Sequence, residues 1–382
     1  MKRVIRTKYY ILRFLSKLLI VLLLIPILYN YIPIEKGDSS FYIPSSDVHT
    51  IIDTLKEHGY GVSNIDKLVL RFIEAPPKGW YLLLDAPTTR FKFFEALVRN
   101  HDKIIGIKIY AGETSTELSQ RLANDLKLNA DKILENYKKR SKFGEGDIYS
   151  GYYHIPKDLD EEKTISLLYT LSQEKFKTFG KEYYKDTLDN DTLKNLLTIA
   201  SIIQKETNDK EEMYLVSSVI QNRLNKNMKL QMDATLNYGQ YAHKIITRER
   251  IREDNSTYNT YKHKGIPPAP LATVSIDALK AASHPATSDY LFFMLTPKGK
   301  HNFAATYKEH LVNIRTFRAA QEKKKKEKLA LLKKKKKNLI TKNTENNNTK
   351  LQIIKTIKAE ISKEKLHKTT ESNTSTKPTS SL

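Results

Sequence analysis

Glu206 is the residue of this sequence whose position best suits acid catalysis. It follows Leu196, Ile199 and Ile203 at steps of three, four and three residues, so it continues the apolar stripe of a predicted helix. A carboxyl group on such a stripe loses solvation, and the nearby helix C-terminus disfavours negative charge. Both effects favour the protonated form that a general acid needs at neutral pH. Taken alone, a Glu at a helix end is more often a structural or solvated residue.

Other common catalytic arrangements are not apparent in the sequence. The ten histidines include no close ligand pair at helical spacing, and cysteine is absent, which excludes thiolate sites. Ser201, Ser217 and Ser218 fall in predicted helices without a nucleophile-elbow motif. There is no Gly-rich phosphate loop. We therefore expect neither a metal nor an organic cofactor.

The helix that carries Glu206 opens a predicted domain over residues 191–318. Asp191 or Thr192 is the expected cap of this helix, and a second helix should follow the polar break at Asn208 and Asp209. The loops beyond it, QMDATLNYG and STYNTYKHKGIPPAP, are rich in Tyr, Asn, Thr, Gly and Pro. This mixture supplies hydroxyl and amide groups together with flat aromatic faces, as carbohydrate sites require.

The preceding region, residues 41–180, repeats a pattern of strand, turn and amphipathic helix. Short apolar runs at FYIP, WYLLL, IGIKIY and GYYHIP each precede apolar residues at helical spacing. Thr114 and Glu117 stand in capping-box register. Such units build small α+β modules, so we predict an α+β fold for the folded part of the chain.

The charge of the 382-residue chain lies mainly at its two ends. The net charge of +22 divides into +6 over residues 1–17, +12 over residues 321–382 and about +4 between them. A nucleic-acid-binding domain carries its positive charge on the fold itself, so nucleic acid is not an expected partner. The Lys-rich segment 321–382 has few aromatic residues and predicts a short basic helix followed by disorder. It is either a solvated tail or a contact with membrane or anionic wall polymer.

Residues 18–34, LLIVLLLIPILYNYIPI, are uncharged and predict a single transmembrane helix. The basic block of residues 1–17 before it predicts a cytoplasmic N-terminus and an external C-terminal part. The alternative, a cleaved signal peptide, lacks its small-residue cleavage site here. Either interpretation puts most of the chain outside the cytoplasm.

The 191–318 region resembles the endolytic murein transglycosylases of the MltG/YceG-like family. The matching blocks, in family order, are IASIIQKET, SSVIQNRL, MKLQMDATLNYG, YNTYKHKGIPPAP, AASHPATSDYLFFM and a KHNF segment with TYKEH. The earlier α+β region is similar in layout to the family's N-terminal part, which includes a LysM-like module, expected near residues 107–134. Thr273 and Val274 depart from the Asn-Pro that is usual in the family.

The resemblance implies a catalytic acid in the block that contains Glu206. Gln204 replaces the first carboxylate of that block. If the family acid is the second carboxylate, the chain retains its catalytic acid; if it is the first, the chain is inactive. The helical-face argument favours Glu206. The resemblance also implies a set of substrate-binding cleft residues: Gln231, Asp233, Thr235, Tyr238, Asn259, Thr260 and Tyr261.

The activity implied is endolytic, non-hydrolytic cleavage of the MurNAc–GlcNAc bond in peptidoglycan, leaving 1,6-anhydroMurNAc ends, during cell wall assembly. The implied partners are peptidoglycan glycan strands, the cell membrane and peptidoglycan synthases. The implied location is the cytoplasmic (inner) membrane, with the catalytic domain outside, in the periplasm of a two-membrane bacterium. The alternative function is a non-catalytic peptidoglycan-binding or scaffold protein of the wall-synthesis machinery.

Overall fold

The computed structural model describes residues 2–84, 89–100, 104–296 and 299–341. Its Cα packing divides the chain into two compact units, Met1–Thr287 and Ser288–Leu382. The predicted catalytic segment 191–318 therefore crosses the boundary between the units, although the candidate site residues all belong to the first.

The first unit begins with one long helix, α1 (Lys2–Asn30). Within it, Leu12–Asn30 is long and apolar enough to cross a membrane, with a mean hydropathy of 2.2 over 19 residues. Of the predicted span of residues 18–34, the part up to Asn30 is helical, and Ile34 is buried in the core that follows. The apolar stretch Leu12–Asn30 begins within the predicted basic segment.

Two units of strand, helix, helix and strand follow, and each is completed by a further helix. The bounds in the first are β1 (Ser40–Ile43), α2 (Val48–Glu57), α3 (Asp66–Phe72), β2 (Gly79–Leu82) and α4 (Arg90–Asn100). The bounds in the second are β3 (Ile104–Ile109), α5 (Ser115–Leu126), α6 (Ala130–Arg140), β4 (Gly151–Pro156) and α7 (Glu161–Tyr184). In both, the strands pair antiparallel. We call these two ranges, 40–82 and 104–156, the first and second βααβ units.

Each βααβ unit has its own apolar core. Phe41, Ile52 and Phe94 are fully buried in the first, and Leu118, Ile133 and Ile155 in the second. The four predicted strand-to-helix steps and the capping box of Thr114 with Glu117 are all confirmed. The short helices α3 and α6 were not predicted. They place the expected module of residues 107–134 inside a larger antiparallel unit.

The remainder of the first unit is built on three helices that pack together. They are α8 (Asn190–Glu206), α9 (Lys210–Asn225) and, after the short α10 (Arg248–Glu253), α11 (Ile276–Ser283). Asp189, not the predicted Asp191 or Thr192, caps α8, since its side chain accepts from the backbone N–H groups of both. The loops between α9 and α11 contain 3₁₀ turns at Asp233–Leu236 and Gly239–Tyr241.

The second unit contains a hairpin and a long helix. Strands β5 (Phe292–Leu295) and β6 (His301–Ala304) pair antiparallel, and α12 runs from Tyr307 to Thr341. The ring of His310 on α12 stacks on that of Phe292 on β5 at 5.2 Å. Beyond residue 321 the sequence predicted a short basic helix and then disorder, and α12 does continue to Thr341. The disorder expected after that helix falls on residues 342–382, which lie outside the described residues.

Candidate functional site

Glu206 is the last residue of α8, and its side chain is half-buried. Leu196 and Ile203 of the predicted apolar stripe are buried, so the helix face that carries Glu206 does point into the fold. The backbone N–H of Ala234 donates to Glu206 Oε1 at 3.3 Å. Burial is the main cause that raises the pKa of Glu206 to about 7; the Ala234 hydrogen bond opposes this rise and the negative charge of Asp233 adds to it. A carboxyl group in this state can release and recover a proton near neutral pH.

Asp233 and Tyr261 form a hydrogen-bonded pair next to this carboxyl group. Tyr261 Oη donates to Asp233 Oδ1 at 2.6 Å. Burial, together with the Asp233 hydrogen bond and charge, raises the pKa of Tyr261 well above its usual value, so its hydroxyl stays protonated. The exposed Asp233 carboxylate and the half-buried Tyr261 ring therefore give the site an acceptor, a donor and an aromatic surface close to Glu206.

The two loops that carry these groups are fixed to each other by buried hydrogen bonds. Thr260 accepts from the backbone N–H of Met232 through Oγ1 and from that of Gln231 through its carbonyl. Its hydroxyl also lies 2.9 Å from that of Thr235. Asn259 is fully buried and uses its amide N–H groups on the carbonyls of Ile251 and Asp254. Such satisfied buried networks hold a single loop conformation.

Most of the chain matches the sequence profile of one protein family. The profile described as the YceG-like family matches residues 41–316, most of the chain. The chain belongs to the YceG-like family.

Two proteins similar in sequence to this YceG-like chain match it over less than half of its length. A Bacillus subtilis (strain 168) protein named endolytic murein transglycosylase is 35% identical over 153 residues, 40% of this chain and 42% of that protein. A Streptococcus pneumoniae (strain D39) protein of the same name is 30% identical over 176 residues, 44% and 31% of the two chains. The chain thus spans less than half of these relatives. A crystal structure of a YceG-like protein from Listeria monocytogenes aligns over 71% of this chain and 97% of its own, with 24% identity and a TM-score of 0.45.

Gln204, where this YceG-like chain lacks the first carboxylate of the family block, is buried away from the pair of Asp233 and Tyr261. Its Oε1 accepts from the Ser275 hydroxyl at 2.6 Å and from the Ser275 backbone N–H at 3.2 Å. Its Nε2 donates to Asn208 Oδ1 at 3.1 Å. The amide oxygen thus joins the end of α8 to the start of α11, and the amide nitrogen binds the polar break before α9.

The cleft residues predicted by resemblance divide into two groups. Gln231 and Asp233 are exposed, and Tyr238 and Tyr261 are half-buried, so a ligand can reach all four. Thr235, Asn259 and Thr260 are buried, and their side-chain polar atoms bond within the protein, so they position the loops and do not face a ligand.

Several residues of the YceG-like site were not predicted. The ring of Tyr258 stacks on Tyr238 at 4.4 Å, and Arg250 lies 3.6 Å above the Tyr241 ring. Arg223 is buried and donates to the carbonyl of Leu230 at 2.6 Å, directly before Gln231 with its left-handed φ of 49°. The high frequency of Tyr in these loops could have indicated that Tyr258 belongs to the site. Nothing in the sequence indicated that Arg223, on a helix, would be buried beside the site.

The second βααβ unit also shapes the site, because its loops bind the segment before α11. The Gly112 N–H donates to the Thr273 carbonyl, and the Thr273 N–H to the Glu113 carbonyl, both at 2.9 Å. Thr273 Oγ1 donates to the Tyr110 carbonyl at 2.6 Å. The Ser150 N–H donates to the Val274 carbonyl at 3.2 Å. We call these four bonds the loop clamp; Thr273 and Val274 stand where the resemblance leads one to expect Asn-Pro.

A polar cavity of about 390 Å³ lies where this βααβ unit meets the end of α8. Gly112, Glu117, Lys205, Asn208 and His243 are among its lining residues, whereas Glu206 is not. Its charged groups are already bonded: Lys205 donates to the Gly112 carbonyl at 3.3 Å, and His243 lies 3.1 Å from Glu117. The cavity is therefore distinct from the groups around Glu206.

Proposed function

We propose that this chain is a membrane-anchored lytic transglycosylase that cuts within peptidoglycan glycan strands during wall assembly. The observation that carries the proposal is the state of Glu206: a half-buried carboxyl group with a pKa raised to about 7, beside the exposed Asp233 and the hydroxyl of Tyr261. The family membership and the names of the relatives supply the substrate class.

In the proposed reaction a single carboxyl group acts first as an acid and then as a base. Protonated Glu206 gives its proton to the oxygen that links MurNAc C1 to GlcNAc, and the C1–O bond breaks. The Glu206 carboxylate then takes the proton of the MurNAc C6 hydroxyl, whose oxygen bonds to C1. The proton returns to Glu206, and no water is consumed. The internal hydroxyl replaces the second carboxylate that glycoside hydrolases use, because its position in the same sugar gives it a high effective concentration.

Asp233 stabilises the positive charge that develops at C1 in this proposal. Its carboxylate is held by Tyr261 at 2.6 Å, so it is oriented before substrate arrives. Gln231 and Tyr238 contact the flanking sugars through an amide and a ring face. The buried Thr235, Asn259 and Thr260 act only by positioning these loops.

We further propose that the apolar part of α1 anchors the chain with its N-terminus in the cytoplasm and the remaining residues outside, in the periplasm of a two-membrane bacterium. The basic residues before the span support this orientation. The strand, helix, helix, strand order of residues 104–156 supports a LysM-like module. Glycan strands are the substrate, and peptidoglycan synthases are the expected protein partners.

The chemistry of the product tests this proposal. Purified full-length protein in detergent is incubated with uncrosslinked glycan strands, and the new ends are analysed by mass spectrometry. Ends of 1,6-anhydroMurNAc, lighter than reducing MurNAc by one water, are the expected result. Internal cleavage with reducing ends would replace the mechanism by hydrolysis with Asp233 as the base. The absence of any cleavage would favour the alternative of a non-catalytic wall-binding protein.

A further inference from the structure

A row of aromatic side chains crosses the outer face of both hairpins. In the first βααβ unit Tyr42 pairs with Trp80, and their rings lie 5.4 Å apart. The Trp80 ring stacks on His154 of the second unit, with 3.5 Å between centroids and 12° between planes. Tyr152 precedes His154 by two positions and shares its face of β4. We call Tyr42, Trp80, His154, Tyr152 and Lys108 the aromatic face.

The exposure of the aromatic face is not explained by packing. Trp80 is 41% exposed and Tyr152 is 68% exposed, although the alternate strand residues Tyr81 and Tyr153 fill the two cores. Gly106 pairs with His154 across the hairpin, so no side chain on β3 covers the imidazole ring from that position. Flat rings left in solvent on two neighbouring hairpins indicate a binding surface.

The charge of the aromatic face is positive. Lys108 pairs with Tyr152, and its ammonium lies 5.2 Å from the Tyr152 ring and 4.7 Å from that of Tyr110. None of the described strand positions on this face that are exposed or half-exposed is acidic; they are Ser40, Tyr42, Trp80, Ile104, Gly106, Lys108, Tyr152, His154 and Pro156. A ligand that fits it presents apolar flat surfaces at intervals and carries carboxylates.

We infer that the aromatic face is a second glycan-binding site, separate from the Glu206 cleft, which holds an uncut peptidoglycan strand. A pyranose ring has an apolar face of C–H groups, which fits the electron-rich face of Trp or Tyr. The carboxylates of the strand's lactyl groups and peptides fit Lys108. The inference rests on the proposed function for the identity of the polysaccharide. A membrane surface, the other partner for Trp, Tyr and Lys, is the opposing outcome in the test below.

The molecule provides its own probe, because Trp80 is its one tryptophan. Full-length protein in detergent, carrying Glu206→Gln to prevent cutting, is titrated with uncrosslinked glycan strands while tryptophan fluorescence is recorded. We expect a saturable change in Trp80 emission. Tyr152→Ala and Lys108→Ala should each weaken the apparent affinity roughly three- to tenfold. Phe72→Ala is the matched control, since this 89% exposed aromatic residue lies on α3, off the face, and should change nothing.

Two further measurements separate the possible failures. In proteoliposomes with brominated lipids, Trp80 emission should remain unquenched; strong quenching would assign the face to the membrane and overturn the inference. With Glu206 intact, Tyr152→Ala should raise KM for long strands and leave kcat unchanged. Cleavage without any Trp80 response would overturn the aromatic face alone. Glycan binding in a protein that never cleaves would overturn the proposed reaction and leave the face standing.

Discussion

At the scale of single residues, the candidate site brings Glu206, Asp233 and Tyr261 together at the end of α8. Glu206 accepts one hydrogen bond from the backbone N–H of Ala234, and Asp233 accepts one from the hydroxyl of Tyr261. Burial and the negative charge of Asp233 raise the pKa of Glu206 to about 7. The proposed mechanism therefore gives the two carboxyl groups different roles, with Glu206 as the proton donor and Asp233 as the charge-stabilising group.

Glu206→Gln should abolish cleavage and leave the fold intact. General acid catalysis is worth typically ~10²–10⁴-fold, so the rate of glycan cleavage should fall at least by that order. The matched control is Gln204→Glu, two residues earlier on the same helix, which should retain activity because Gln204 binds Ser275 and Asn208. Near wild-type cleavage by Glu206→Gln would remove Glu206 from the mechanism.

The same variant should also make the protein less sensitive to pH. The pKa of Glu206 in the folded state is raised to about 7, so folding favours its protonated form. This stabilisation is complete below the usual Glu pKa of ~4.3 and is lost as the pH rises to about 7. The Tm of Glu206→Gln should therefore exceed that of the parent at pH 8 and match it near pH 4. A difference that is largest at pH 4 would contradict the assigned pKa.

Glu145→Gln gives a comparison for that experiment. Burial raises the pKa of Glu145 to about 7 as well, although its carboxylate accepts from Ser115 in the second βααβ unit. This variant should show the same sign of pH dependence in Tm but keep its cleavage activity. Only the Glu206 substitution should change both the pH dependence of Tm and the rate of cleavage.

At the scale of secondary-structure elements, the loop clamp joins the second βααβ unit to the segment before α11, which packs against the helix of Glu206. Gly146, in the loop before β4, faces Pro270 and Ala272 so closely that an added Cβ would lie 2.9 Å from Pro270 Cβ. Gly144, two residues earlier, has a similar φ of 86° but no neighbour within 4 Å of an added Cβ. Both glycines thus have a left-handed backbone conformation, but only Gly146 contacts the segment held by the loop clamp.

Gly146→Ala should therefore destabilise the protein more than Gly144→Ala. Both introduce a left-handed non-Gly residue, which costs roughly 1–2 kcal/mol, and Gly146→Ala must also displace the segment at Pro270. Urea unfolding should give the larger loss of free energy for Gly146→Ala, and kcat should fall only in that variant. Equal losses would mean that the clamp does not hold the segment before α11.

Removal of the chain after Ala320 should leave cleavage unchanged. Tyr307 and His310, in the first turns of α12, make ring contacts with Phe292 of the hairpin. The family match also ends at residue 316. Cleavage by the shortened protein is measured beside that of the full chain; a folded but inactive product would show that the Lys-rich part of α12 is required.

The sequence predicted the elements that have strong local signals and missed those that depend on distant contacts. The periodicity of α8 and the capping box of α5 are local, and both were predicted correctly apart from the cap at Asp189. Helices α3 and α6 are short, and the burial of Asn259 depends on carbonyls of Ile251 and Asp254 that only the folded loop presents. The same holds for Arg223, whose partners follow it in a loop.

At the scale of the whole molecule, the apolar helix α1 is bonded directly to the first βααβ unit and to α4. Tyr29, near the end of α1, donates to Asp66 Oδ2 at 3.0 Å, and Asn30 accepts from the backbone N–H of Phe91 at 2.9 Å. Asp66 is fully buried and is also paired with Arg90 at 2.6 Å. In the proposed topology, these bonds hold the first βααβ unit close to the membrane surface.

The proposed topology predicts the direction of protease attack. Protease added to intact spheroplasts should digest the region after residue 34, while a tag placed before Lys2 should survive until the membrane is opened. A tag at the C-terminus, lost at once, serves as the control. Protection of the Glu206 region in sealed cells would contradict both the orientation and access to peptidoglycan.

The loop clamp also has a consequence for the order in which the protein matures during synthesis. Tyr110 and Thr273 are 163 residues apart in the chain, so at ~5–20 residues per second a ribosome needs roughly ten to thirty seconds to make the second after the first. The second βααβ unit has time to fold in that interval, yet Gly112 and Ser150 still lack their acceptors. We expect the nascent chain to pass through a state with one finished module whose loops are open to proteases and chaperones until Val274 has emerged.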